Sequence, residues 1–259
     1  MSVTHATRAV RRVVATVALF GAASVVIAAT LATTEPATAA WRWILAAAFT
    51  VVGDLALAGM RRGGSRQSHN WRESALLLGL VLLPPGQLVL AMVGGEVATM
   101  LIRRQPLRKA VFNSSLVATE SMLVVSLASA AHVYRDHPHW AAVFDARTIL
   151  IATAATLAAP VCAVFLTTGV VAAERGREIL SGVSDSFLTA LVVWIRNVVA
   201  GWVIMATMAW SPLATAAIGV ALFGLHFFSA DRIAIKQERF AWHRLQEAID
   251  QLRDVELDD

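Results

Sequence analysis

Between Trp71 and Lys109 the chain reads WRESALLLGLVLLPPGQLVLAMVGGEVATMLIRRQPLRK. A polar lip enters an apolar run, the run breaks at Pro84-Pro85-Gly86, and a second apolar run carries one acid, Glu96. The stretch ends in a basic cluster at Arg103, Arg104, Arg108 and Lys109. Proline removes a backbone donor and clashes with the preceding turn, so no straight helix passes through this pair. If Ala75–Ile102 were a single span, the basic cluster behind it would face outward, against the preference of Lys and Arg for the cytoplasmic side. The stretch is therefore expected to be a broken helical hairpin that enters the membrane from the cytoplasm and returns to it. Non-spanning backbone at that depth is tolerated only inside protein, so the other helices should surround it.

Composition agrees with a membrane solvent. The 259 residues are 57% hydrophobic and 15% charged, with mean hydropathy +0.63. Soluble domains carry about a quarter charged residues. The apolar runs are continuous and rich in Ala, Leu and Val, unlike the alternation of barrel strands. The fold class expected is all-α, a polytopic membrane helix bundle. The net charge of +4 belongs with cytoplasmic anchoring, and no basic patch interleaved with aromatics suggests nucleic acid. Cys162, the only cysteine, excludes an intrachain disulfide and a cysteine-cluster metal site.

Around the hairpin six full spans are expected. Residues 1–12 form a basic cytoplasmic N-terminus. Val13–Thr33 is a first span; Ala37-Thr38-Ala39 resembles a cleavage site, but the run is longer than a signal core, and an uncleaved span is preferred. Trp41–Met60 returns, with Trp41 and Trp43 at the outer interface and Arg61, Arg62 and Arg66 inside. Ala110–Tyr134, Arg147–Ala173 (kinked at Pro160), Phe187–Trp210 and Leu213–Ala230 complete residues 13–230. Both termini are then cytoplasmic, which fits the inner membrane of a bacterium. Residues 231–259 change to a charged helix in which Trp242, Leu245, Ile249 and Leu252 follow coiled-coil spacing. Either an amphipathic helix lying on the membrane or a signal-transmission helix fits, the latter with a homodimer or partner protein.

This pattern resembles the MASE-like multi-pass N-terminal sensor modules of bacterial, especially actinobacterial, signalling proteins. Those modules precede GGDEF/EAL, HD-type phosphohydrolase or histidine kinase outputs. The resembling residues are ESALLLGLVLLPP from Glu73, RRQPLRK from Arg103 to Lys109, the Phe112-Asn113 pair, Glu120 and the exit segment Asp231–Leu252. The resemblance implies a sensory or regulatory module acting through its C-terminal helix. No output domain follows within this sequence, so no output enzymology carries over.

Ionisable residues at membrane depth are functional candidates because each costs several kcal/mol unless paired. Asp54, Glu96, Glu120 and Arg196 form this set, and Asn113 shares a helical face with Glu120. One reading is a polar ligand cavity walled by Glu96 and Glu120 with Arg196 as counter-ion. The other is an internal ion pair that fixes helix packing. His132, His137 and His139, with Asp136 and Asp145, are weak metal candidates, and a solvated loop explains them as well. His226 reads as a packing residue. No phosphate loop, nucleophile elbow or HExxH pair is present, so no enzyme activity and no cofactor are expected. A small-solute transporter subunit and a structural accessory subunit are the alternative functions; broken helices and buried acids occur in transporters too.

Overall fold

The structure is a computed structural model and describes residues 3–55, 58–62, 65–69, 71–131, 145–175 and 179–211. In chain order these residues form α1 (Val3–Thr34), α2 (Ala40–Leu55), β1 (Ala58–Arg62), β2 (Ser65–His69), α3 (Arg72–Leu82), α4 (Pro85–Ile102), α5 (Leu107–Ala130), α6 (Ala146–Thr156), α7 (Ala158–Arg175) and α8 (Ile179–Trp210). The fold is helical, and five stretches are long and apolar enough to cross a membrane: Val10–Thr34, Pro85–Ile102, Leu107–Ala130, Ala146–Ala172 and Ser186–Trp210. This is the make-up of a multi-pass membrane protein.

One expectation changes. The second span does not run to Met60: α2 ends at Leu55 after 16 residues, short of the roughly 20 that a span takes. The chain then pairs β1 with β2 as an antiparallel hairpin, Ala58 opposite His69 and Arg62 opposite Ser65. Its sequence carries the reason, since Gly63-Gly64 between the strands is a hairpin dipeptide. Leu213–Ala230, the last expected span, lies outside the described residues, as does the whole of 231–259.

α4 is the centre of the bundle. It packs against α1, α2 and α5, while α3 packs against α8, α2 and α6. The two halves of the broken stretch fold back on each other. Gly79 of α3 lies against Leu88 of α4, and Arg72, further down α3, reaches Glu96. α3 is buried nearly throughout, Leu76, Leu77, Leu78 and Leu80 among the core residues. The break has the expected cause. Pro84 ends one helix, Pro85 occupies the first position of the next, where a missing N–H costs nothing.

The start of α4 is clamped by the α1–α2 connection. The Glu35 carboxylate accepts from the backbone N–H of Gly86 at 2.6 Å and of Gln87 at 3.1 Å, an anion on a helix N-terminus. Gln87 in turn donates to the Pro36 carbonyl at 2.8 Å and accepts from the Trp43 indole at 3.0 Å. The other end of α4 closes with a Schellman turn: Gln105 N–H bonds to Met100 O and Arg104 N–H to Leu101 O. Arg104 holds φ 49° there, a left-handed conformation usually given to glycine.

Pro160 acts three residues upstream of itself. The helix breaks at Leu157, between α6 and α7, because the ring of a proline clashes with the carbonyl four residues earlier, here Thr156. The Gly94-Gly95 pair divides. A Cβ at Gly95 would meet Thr50 Cβ at 2.7 Å and Ala47 O at 2.8 Å, whereas nothing lies within 4 Å of one at Gly94. Only Gly95 therefore serves close helix approach. Gly95→Ala is expected to lower the unfolding midpoint in detergent by an amount worth about 1–3 kcal/mol, and Gly94→Ala to leave it unchanged; equal effects at both positions would contradict this packing.

Candidate functional site

The first turn of α3 brings Arg72 into the bundle. Its guanidinium donates from Nη1 to Glu120 Oε2 at 2.9 Å and lies with Nη2 3.5 Å from Glu96 Oε2. Glu120 belongs to α5 and Glu96 to α4. Asp54, at the end of α2, is a third acid buried close enough to act on the charges of Arg72 and Glu96. The three acids are 4%, 1% and 1% exposed for Asp54, Glu96 and Glu120. Helices α2, α3, α4 and α5 thus meet on one cation. Arg103, past the end of α4, donates to the backbone carbonyl of Asp54 and ties that corner to the basic turn.

The counter-ion is Arg72, and the expectation for Arg196 is corrected. Arg196 on α8 instead donates to Asn197 Oδ1 from Nε at 3.3 Å and Nη2 at 3.2 Å. Its guanidinium carbon stands 5.9 Å from the centroid of the Trp71 ring, within cation–π range. Asn197 donates to Glu73 Oε2 at 2.5 Å, and Ser74 donates to the Asn197 carbonyl at 2.6 Å. This second network joins the first turn of α3 to α8. The adjacent residues Arg72 and Glu73 point their charges to different helices, Arg72 toward α4 and α5 and Glu73 toward α8.

Asn197→Leu is expected to be destabilising, because it leaves the buried Glu73 carboxylate without its donor. The loss should be on the order of 1–3 kcal/mol, read as a lower midpoint in denaturant unfolding. A Glu73→Gln, Asn197→Leu double substitution should recover part of it. A double variant no more stable than Asn197→Leu would show that the contact does not carry the effect.

Of the other expected site residues, Asn113 does not join the acids. Half-buried on α5, it approaches Met100 Sδ at 3.8 Å. Asp145 caps α6, accepting from Arg147 N–H at 3.1 Å and Thr148 N–H at 3.3 Å, a structural role. His132, His137 and His139, like His226, Trp242, Leu245, Ile249 and Leu252, lie outside the described residues. Among the described residues no group of three or more His, Cys, Asp or Glu is arranged to hold a metal ion. Cys162 on α7 is half-buried.

The site is not the open cavity expected from Glu96 and Glu120. A guanidinium fills the space between them. Yet the charges do not balance, with three carboxylates against the one arginine whose side chain enters the group. Several polar atoms here are buried with no hydrogen-bond partner: Asp54 Oδ2, Glu96 Oε2, Glu120 Oε1, Arg72 Nε and Ser121 Oγ.

Compared with family models, curated proteins and solved structures, the chain finds no match.

Proposed function

We propose that this chain is a membrane sensory or regulatory module of the bacterial inner membrane. The α3–α4 hairpin enters from the cytoplasm, turns at Pro84-Pro85 near the outer surface, and is the element that responds. Residues 231–259 pass the change to a cytoplasmic output domain or partner, as a homodimer or a hetero-complex. The observation that carries this reading is the convergence of four helices on Arg72. A change of charge at one acid alters the balance of all four at once, which is how a local event biases a bundle between two packings. The basic residues Arg103, Arg104, Arg108 and Lys109 beyond α4 support entry of the hairpin from the cytoplasm, an orientation that requires the short α2 to cross the membrane.

The test is disulfide cross-linking between copies at Leu245→Cys in a Cys162→Ser background, in native membranes. Glu120→Gln is expected to change the cross-linking yield about 5-fold or more, the scale of an ordinary allosteric coupling, while the protein stays folded. A folded Glu120→Gln protein with unchanged yield would contradict the sensory reading.

The partnerless carboxylate oxygens also suit a second function, a small-solute transporter subunit, in which such acids couple ion movement to solute movement. Solute flux in proteoliposomes that disappears in Glu96→Gln, with the cross-linking yield unaffected, would favour it.

A further inference from the structure

We infer that the turn between α4 and α5 is a binding site for the anionic headgroup of a phospholipid. The inference stands apart from the sensory reading and holds for a transporter subunit as well. Arg103, Arg104, Arg108 and Lys109 follow one another closely, and no Asp or Glu occurs between Glu96 and Glu120. Arg103 is tied to the Asp54 carbonyl. Arg104, Arg108 and Lys109 are exposed, and the ion pairs among the described residues belong to Arg72 instead. Among those residues the three cations therefore stand together with no acid to balance them.

The backbone at Arg104 is a second, independent observation. Arg104 takes the left-handed position of the Schellman turn, at φ 49°. Glycine adopts that conformation freely, whereas a residue with a Cβ is strained in it. Folding alone would favour glycine here. A strained residue persists where its side chain has a use, and this side chain is an exposed cation with no partner among the described residues. Anchoring a span on the cytoplasmic side needs positive charge nearby, but it does not need that charge on a left-handed residue.

The apolar neighbours select a lipid over a free anion. α4 and α5 are both long and apolar enough to cross a membrane, which sets residues 103–106 at one of its surfaces. Beside the cations Leu101 is 73% exposed, Ile102 60% and Leu107 78%. Free phosphate would leave these side chains uncovered. A phospholipid covers them with its chains while its phosphate meets the guanidinium groups, whose planar forks match phosphate oxygens. Lys and Arg clustered immediately beyond a span are the chemistry that recognises anionic headgroups. Arg103, in the same turn, connects the bound headgroup to the end of α2 through the Asp54 carbonyl.

The test is binding of fluorescent phosphatidylglycerol to the full chain in neutral detergent micelles, with fluorescent phosphatidylcholine as the uncharged comparison and inorganic phosphate as competitor. Phosphatidylglycerol is expected to bind more tightly than phosphatidylcholine, and inorganic phosphate should not displace it. Arg104→Gly should weaken phosphatidylglycerol binding about 5-fold, the scale of one cation at an anionic surface, while its unfolding midpoint equals or exceeds the parent's. Arg108→Gln combined with Lys109→Gln should weaken binding about 10-fold or more, and it decides the question if Arg104→Gly does not fold. Arg12→Gln, which removes an exposed cation of α1, should leave binding unchanged. Equal affinity for the two lipids, displacement by inorganic phosphate, parent-like binding in the variants of this turn, or a loss in Arg12→Gln as large as theirs would each overturn the proposal.

Discussion

Arg72→Ala should be the most damaging single substitution in the bundle. It leaves Glu96, Glu120 and Asp54 as three buried acids with no cation among them, and removing one partner of a buried pair costs about 3–5 kcal/mol. The cost comes from uncompensated burial rather than from the attraction that is lost, so compensation is possible at the acids. Arg72→Gln combined with Glu120→Gln should fold better than Arg72→Ala, although it lacks the ion pair altogether. The measurement is the yield of folded protein in mild detergent together with its unfolding midpoint. If Arg72→Ala accumulated and unfolded like the parent, the guanidinium would not be the cation these acids depend on.

The second large effect is steric and sits at the opposite end of α4. Gly86 lies on the last turns of α1: a Cβ there would stand 2.5 Å from Ala28 O, 2.7 Å from Ala32 N and 2.9 Å from Leu31 Cβ. Two of these are backbone atoms and cannot swing aside. Gly21 faces the Ser115 backbone of α5 just as closely, so the same helix is pinned at both levels. Gly21→Val or Gly86→Val must push α1 off its neighbours. Overpacking of this kind costs about 1–3 kcal/mol and occasionally more, and the β-branched side chain has few rotamers with which to escape. Both variants should show lower midpoints and faster proteolysis within α1, measured against Gly94→Val as the unencumbered comparison. Parent-like stability in Gly86→Val would mean that α1 and α4 do not approach as closely as described.

Much of the architecture could be read before any coordinates. Continuous apolar runs mark α1, α5 and α8, and the Pro84-Pro85 pair marks the junction of α3 and α4 because proline acts through local backbone chemistry. Glu96 and Glu120 stand out as acids within apolar runs, and both pair with Arg72. The partner of these acids was legible in principle. Arg72 lies twelve residues before Pro84 and Glu96 twelve after it, and residues equally distant from a sharp turn meet across an antiparallel pair. It was missed because Arg72 stands in a polar lip and resembles an interfacial anchor, while Arg196 stands in a fully apolar run. The end of α2 was less legible: the run to Met60 is apolar enough to continue a helix, and strand pairing with Ser65–His69 decides otherwise. The link of Glu73 to Asn197 spans 124 positions in the chain and depends on the packing of α3 against α8, which no local pattern encodes.

The central claim is that Arg72 and Glu120 interact as a pair at the junction of these helices. A double-mutant cycle measures it directly: unfolding free energies of the parent, Arg72→Gln, Glu120→Gln and the double variant, all in the same lipid. Strong non-additivity is expected, a coupling within the range of about 0.5–3 kcal/mol found for residues in contact, with the double variant more stable than the sum of the two losses implies. Additive losses, within the few tenths of a kcal/mol expected of independent sites, would contradict it.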